Sequence, residues 1–389
     1  MDIHETYAHL IVNFFINEYK GIQPNQVVVI DIPESAKPLL VPLQTAVLKA
    51  GAHPLIMYRP DGITRHFFEH AQNHQLSFYA QHFYEGLVSQ IDHGIYIRAE
   101  ADKKELQGIT PSKIMQKMSA LLPYRQLRDA KENAGKFTWT LCSYPTESVA
   151  KEAGVSLQKY WDLIIKACYL DVPHPIATWK EVITHIETTK QKLNALDIQQ
   201  LHVKSASTDI TIGLGGNRKW LGGSGRNLPS YELFISPHWQ HTNGYIQFTE
   251  PLYLQGTLLK KVYLAFKDGV VTKATAQQGQ EVLDALLAIK NANKVGEFSL
   301  TDARVSPITT FMADTLFDEN VQGNTHLALG NAYKDSYPNN PATVSNWDEL
   351  GYNESAAHVD IVSTEPRIVT ATLKDGSQKI IYEHDRFVV

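Results

Sequence analysis

Apolar residues recur at helical spacing near the start of the chain, at Tyr7, Leu10, Ile11, Phe14 and Phe15, and Gly21 stands where that helix ends. VVVID (27–31) is an unbroken apolar run of strand length. Residues 34–50, ESAKPLLVPLQTAVLKA, predict a helix broken or delayed by Pro38 and Pro42 and closed by Gly51. HPLIMY (53–58), GIYIRAE (94–100) and FTWTLC (137–142) predict further strands, with helical segments between them. Such alternation points to an α/β N-terminal domain with a largely parallel sheet. WDLIIKACYL (161–170) and TWKEVITHIETTKQKLNAL (178–196) are amphipathic, are separated by Pro173 and Pro175, and form a helical connection. From about residue 201 short alternating segments take over: LHVKSA, DITIGL, ELFIS, GYIQFTE and KVYLAFKDGVVTKATA. Asp268-Gly269 and Asp375-Gly376 are hairpin signals, and a single helical stretch, EVLDALLAIKNA (281–292), interrupts them. The second half therefore predicts an α+β, antiparallel, β-rich C-terminal domain, with the division at residues 1–185 and 186–389.

Composition narrows the class without naming it. The 389 residues are 43% hydrophobic and 20% charged, as in an ordinary soluble protein. A net charge of -5 argues against a nucleic-acid or anionic-membrane partner. Two cysteines, Cys142 and Cys168, suit a reducing compartment and predict buried free thiols. The N-terminal stretch lacks the apolar core and cleavage site of a signal peptide, and no run approaches the roughly 18 apolar residues of a membrane span, so the expected location is the cytoplasm.

The Gly-rich run GLGGNRKWLGGSGRN (213–227) is followed by no helical pattern, so it reads as turns between strands rather than a phosphate loop. GGSG (222–225) lacks the spacing of a serine-nucleophile elbow. His66, His70 and His74 line one helical stripe without a carboxylate partner and read as surface or core. AAHVDIV (356–362) poses a sharper question. On a strand His358, Asp360 and Val362 share one face, either as a metal half-site or as a hydrogen-bonded pair near a sheet edge. Glu232, Glu297, Glu319 and His326 also stand in apolar surroundings. Each alone reads as structural; together with His358 and Asp360 they are the oxygen-rich donor set that two divalent ions require.

These residues carry a resemblance. TDITIGL (208–214), WLGG (220–223), NLPSYELF (227–234), FKDGVV (266–271), TLFDEN (315–320), HLALGNAY (326–333) and HVD (358–360) occur in the order seen in the thermophilic-type metallo-aminopeptidases, the group of aminopeptidase T, aminopeptidase S and PepS. QPNQVVVI, KAGA (49–52) and SYPT (143–146) extend the likeness toward the start. The resemblance implies metal ligands at Glu232, Glu297, Glu319, His326, His358 and Asp360, and an active-site tyrosine at Tyr333. It implies two divalent ions (Zn, Co, Mn or Mg) and a shared water that attacks the first peptide bond of a short peptide, with Glu232 or Glu297 moving the proton. It also implies a homodimer. Two departures stand out. The family carries adjacent glutamates where this chain has Tyr231-Glu232, and ENVQGNTH is two residues longer than the family's E-N-A-S-C-H. A peptide-binding protein with an impaired site, or a hydrolase of a related amide, are the alternatives.

Overall fold

The computed structural model describes residues 2–254 and 256–389, which form two compact units. The first comprises residues up to Trp179 together with Ser224–Ser230; the second comprises Lys180–Gly223 and Tyr231–Val389. The division falls inside the helix Pro175–Asn194.

In the first unit five parallel strands lie in the order His53–Arg59, Val27–Pro33, His93–Arg98, Thr138–Ser143 and Asn227–Leu228. The β-branched run of VVVID explains the second of these: Val28, Val29 and Ile30 are fully buried, as befits a strand covered on both faces. On one face Val29, Ile91 and Phe137 form a core with Val27, Met57, Leu87 and Trp139. The prolines of the next helix delay it without breaking it. A 3₁₀ turn covers Glu34–Ala36, the α-helix Lys37–Lys49 starts with Pro38 in its first turn, and it runs through Pro42. Leu39, Leu43 and Val47 stay buried along one side. His66, His70 and His74 are exposed. Both cysteines are buried and free. Among the described residues no helix is long and apolar enough to cross a membrane.

The second unit is antiparallel. Its larger sheet has eight strands, and the Asp268-Gly269 turn joins two of them with positive φ at both central residues (49° and 78°), the conformation that matches hairpin twist. Its smaller sheet has four strands in the order His358–Ser363, Thr325–Gly330, Val295–Thr301 and Glu232–Ile235. The glycines of 213–227 make turns: Gly215, Gly216, Gly222, Gly223 and Gly225 all have positive φ, and a strand rather than a helix follows.

One buried imidazole of the first unit gives the fold a pH dependence. His93 Nδ1 hydrogen-bonds Thr138 Oγ1 at 2.7 Å, while its Nε2 is buried without a partner. Burial is the main cause that lowers its pKa from 6.5 to about 4. The unfolded chain therefore binds the extra proton first. The contribution is complete above pH 6.5 and is lost as pH falls toward 4, by up to about 3 kcal/mol. Denaturant unfolding at pH 7 and pH 4.5 should show a loss for the native chain that is smaller in His93→Gln.

Candidate metal centre

The four-stranded sheet presents one face to the predicted donors. Paired residues share a face, so the register aligns Asp360 with Ala328 and Glu297, Val362 with His326, Ser299 and Phe234, and Thr301 with Glu232. The central positions are small, at Ser299, Ala328 and Gly330, which leaves room above the sheet for side chains reaching in from its edges.

A bulge makes this alignment possible. Val295 pairs with Leu329 and Glu297 pairs with Ala328, so Gly296 is the extra residue between them. Leu329 and Ala328 face opposite sides, and therefore so do Val295 and Glu297. Val295 stays in the core while Glu297, Ser299 and Thr301 turn to the His326 side. Only glycine fits at 296: a Cβ there would lie 2.3 Å from the Asn331 carbonyl oxygen.

The side chains converge. His326 Nε2 lies 2.8 Å from Glu297 Oε1, 3.4 Å from Glu232 Oε2 and 3.7 Å from Asp360 Oδ1. His358 Nε2 lies 3.3 Å from Asp360 Oδ1 and 4.0 Å from Glu297 Oε2. Ser299 Oγ donates to Glu232 Oε2 at 2.6 Å. His358 Nδ1 donates to the Asn331 carbonyl at 2.8 Å, which turns Nε2 toward the carboxylates. Glu232, Glu297 and His326 offer ligand atoms that all lie within 4.8 Å of one another. Tyr231 is buried as well, but the glutamate of the Tyr231-Glu232 pair is the one that enters the cluster.

Glu319 follows the single helical turn Thr315–Asp318, whose Leu316 N–H donates to the capping Asp314 side chain. Its carbonyl accepts hydrogen bonds from Thr301 Oγ1 at 3.1 Å and from the Asn324 amide. Within this loop Gly323 has a φ of +71°, and a Cβ there would lie 2.6 Å from Asp385. Arg367 is 5% exposed and holds the loop to the sheet, donating to the Gly323 carbonyl at 2.7 Å and to the Ser363 carbonyl at 2.9 Å. Tyr333 stands beside the cluster, its N–H donating to Ser236 Oγ at 2.8 Å and its ring 4.9 Å from that of His358.

Electrostatics record the crowding of charge. Burial, and then the neighbouring Glu297 and Asp360 charges, raise the Glu232 pKa to about 7 against the pull of His326. Burial, followed by Glu232 and Asp360, raises that of Glu319 well above the carboxylate range. Burial alone would lower the histidines, but Glu232, Glu297 and Asp360 outweigh it and raise His326 to about 10. Asp360 likewise raises His358 to about 9. Burial would raise Asp360, and His358 brings it down to about 2. Glu297 Oε2 and Asp360 Oδ1 are nonetheless buried without a hydrogen-bond partner. Buried anionic oxygens that lack a hydrogen bond and stand beside imidazoles are what a divalent cation satisfies, so the donor set fits a metal.

Ser299, Asn331, Arg367 and the Gly296 bulge were not singled out in the sequence. Alternation in HLALG could have found Ala328 and Gly330, since they share a face with His326; the other four carry no local signal. A cavity of about 460 Å³, lined by residues that include Thr184, His185, Arg304 and Phe387, contains none of the cluster.

A model of the thermophilic metalloprotease family (M29) matches residues 2–387. Aminopeptidase T of Thermus thermophilus is 30% identical over 331 residues, covering 79% of each chain. Aminopeptidase PepS of Streptococcus thermophilus is 27% identical over 99% of this chain and 98% of its own. The solved structure of wild-type AmpT from Thermus thermophilus superposes with a TM-score of 0.85 at 26% identity, covering 100% of this chain and 99% of that one. With likeness in sequence and fold along nearly its full length, the chain belongs to the thermophilic metalloprotease family M29 and is a peptidase.

Proposed function

We propose that this protein is an aminopeptidase that releases the first residue of short peptides with the help of two divalent metal ions. The observation that carries the reading is the set of three carboxylates and two imidazoles gathered on one sheet face, with Glu319 on the adjoining loop near enough to feel the Glu232 and Asp360 charges, and with Glu297 Oε2 and Asp360 Oδ1 buried without a hydrogen bond. Glu232, Glu297, Glu319, His326, His358 and Asp360 would hold the ions, with zinc, cobalt, manganese and magnesium as the candidates. Bound there, the ions would supply a water acidic enough to ionise near neutral pH and an electrophile for the scissile carbonyl.

The chain's own groups do the rest. A free α-amino nitrogen would be able to bind at the ion site where an acylated nitrogen would not, which favours cleavage at the N-terminus over an internal bond. Glu232 or Glu297 takes the proton of the attacking water and returns it to the leaving amine. The Tyr333 hydroxyl donates to the oxyanion of the tetrahedral intermediate. His358 is held in one tautomer by the Asn331 carbonyl, so its Nε2 stays turned to the site. The resemblance adds a homodimer, and two free buried cysteines fit the cytoplasmic setting expected from the sequence.

Two predictions test this. Metal-stripped protein should not cleave amino-acid anilides or short peptides, and adding back one of the four metals should restore release of the first residue. N-acetylated peptides should remain intact, and their cleavage would overturn the exopeptidase reading. Secondly, Glu297→Gln should lower activity by at least ~100-fold. It should also abolish the rise in melting temperature that added metal gives the native chain, read by calorimetry.

A further inference from the structure

Among the described residues of the donor face, Phe234 is the large apolar side chain that stays partly exposed. It lies two residues along from Glu232 on the same side of the strand Glu232–Ile235, directly across from Ser299 and in one row with His326. Its strand neighbours Tyr231, Leu233 and Ile235 are at most 2% exposed, whereas Phe234 is only half-buried. Its backbone is fixed by reciprocal hydrogen bonds with Leu221, of 2.7 and 2.9 Å. Its ring meets that of Tyr333 at 5.7 Å, edge to face, and Tyr333 meets His358 at 4.9 Å. An aromatic ledge therefore runs beside the ligands, from the edge strand that carries Glu232 to the opposite edge strand that carries His358.

We propose that Phe234, with Tyr333, forms the wall that receives the side chain of the substrate's first residue and selects large uncharged apolar side chains, aliphatic or aromatic. This rests on the aminopeptidase reading. A substrate whose free amino group is held at the cluster must place its Cβ two bonds from that nitrogen, close beside the ligands. Val362 also lies on this face but is 5% exposed, which leaves the Phe234–Tyr333 ledge as the open apolar surface there among the described residues. Charged side chains lose hydration against an apolar ledge that offers them no partner. Leucine, methionine and phenylalanine gain from desolvating the ledge, whereas glycine and alanine do not reach it.

The test is kcat/KM for a panel of X-anilides and for two dipeptide series, X-Ala and Ala-X, with metal-loaded native enzyme, Phe234→Ala and Phe234→Leu. Metal content and melting temperature are measured for each variant. Phe234→Ala should lose ~10–100-fold on leucine and phenylalanine at the first position while changing by only a few-fold on alanine. Phe234→Leu should recover most of the leucine rate but not the phenylalanine rate, and it also decides the question if the alanine variant does not fold. An equal fall on every substrate at full metal content would overturn the proposal. So would a loss that follows X in Ala-X, which would place Phe234 beyond the scissile bond. Failure of the native enzyme to release any first residue with any metal would instead remove the aminopeptidase reading itself.

Discussion

Three carboxylates gathered on one sheet face and a fourth on the adjoining loop, all largely shielded from water, are the constraint that shapes the second unit. Like charges at such separations repel strongly where water cannot screen them, and isolated burial of even one is unfavourable. The chain offsets part of this from its own resources. His326 stands among Glu232, Glu297 and Asp360, His358 pairs with Asp360, and Ser299 donates to Glu232. The elevated Glu232 and Glu319 and the elevated histidines all describe a pocket short of positive charge. Cations are the natural complement, and membership of a metalloprotease family gives the same answer from an independent direction.

The sheet beneath is built to permit that crowding. Antiparallel pairing puts residues from four strands side by side at fixed spacing, and small residues at Ser299, Ala328 and Gly330 keep the middle of the face low. Around this frame Arg367 ties the Glu319 loop to the end of the His358 strand through two backbone carbonyls.

Much of this was legible from periodicity. The buried run VVVID, the α/β alternation of the first half, and the Asp268-Gly269 hairpin follow from local chemistry. So does the placing of His358 and Asp360 on one side of a strand. What periodicity could not give was the meeting of distant strands, because pairing partners leave no local mark; only the resemblance linked Glu232 to His358. Simple alternation would also have put Val295 and Glu297 on the same side. The bulge at Gly296 reverses this, and its cause is a close approach of the Asn331 backbone that no nearby residue announces. Pro42 misled in the other direction, since a proline early in a helix costs little where the affected Pro38 carbonyl is exposed.

The order of the donors along the chain has a consequence for biosynthesis. Glu232 is made early, but its neighbours on the sheet arrive from Glu297, His326 and finally the strand His358–Ser363. A ribosome-bound chain that has exposed only the first three of these strands lacks His358 and Asp360, and so cannot complete the donor set. The cluster therefore closes only when the last of its strands joins the sheet, so its assembly waits on nearly the whole of the second unit.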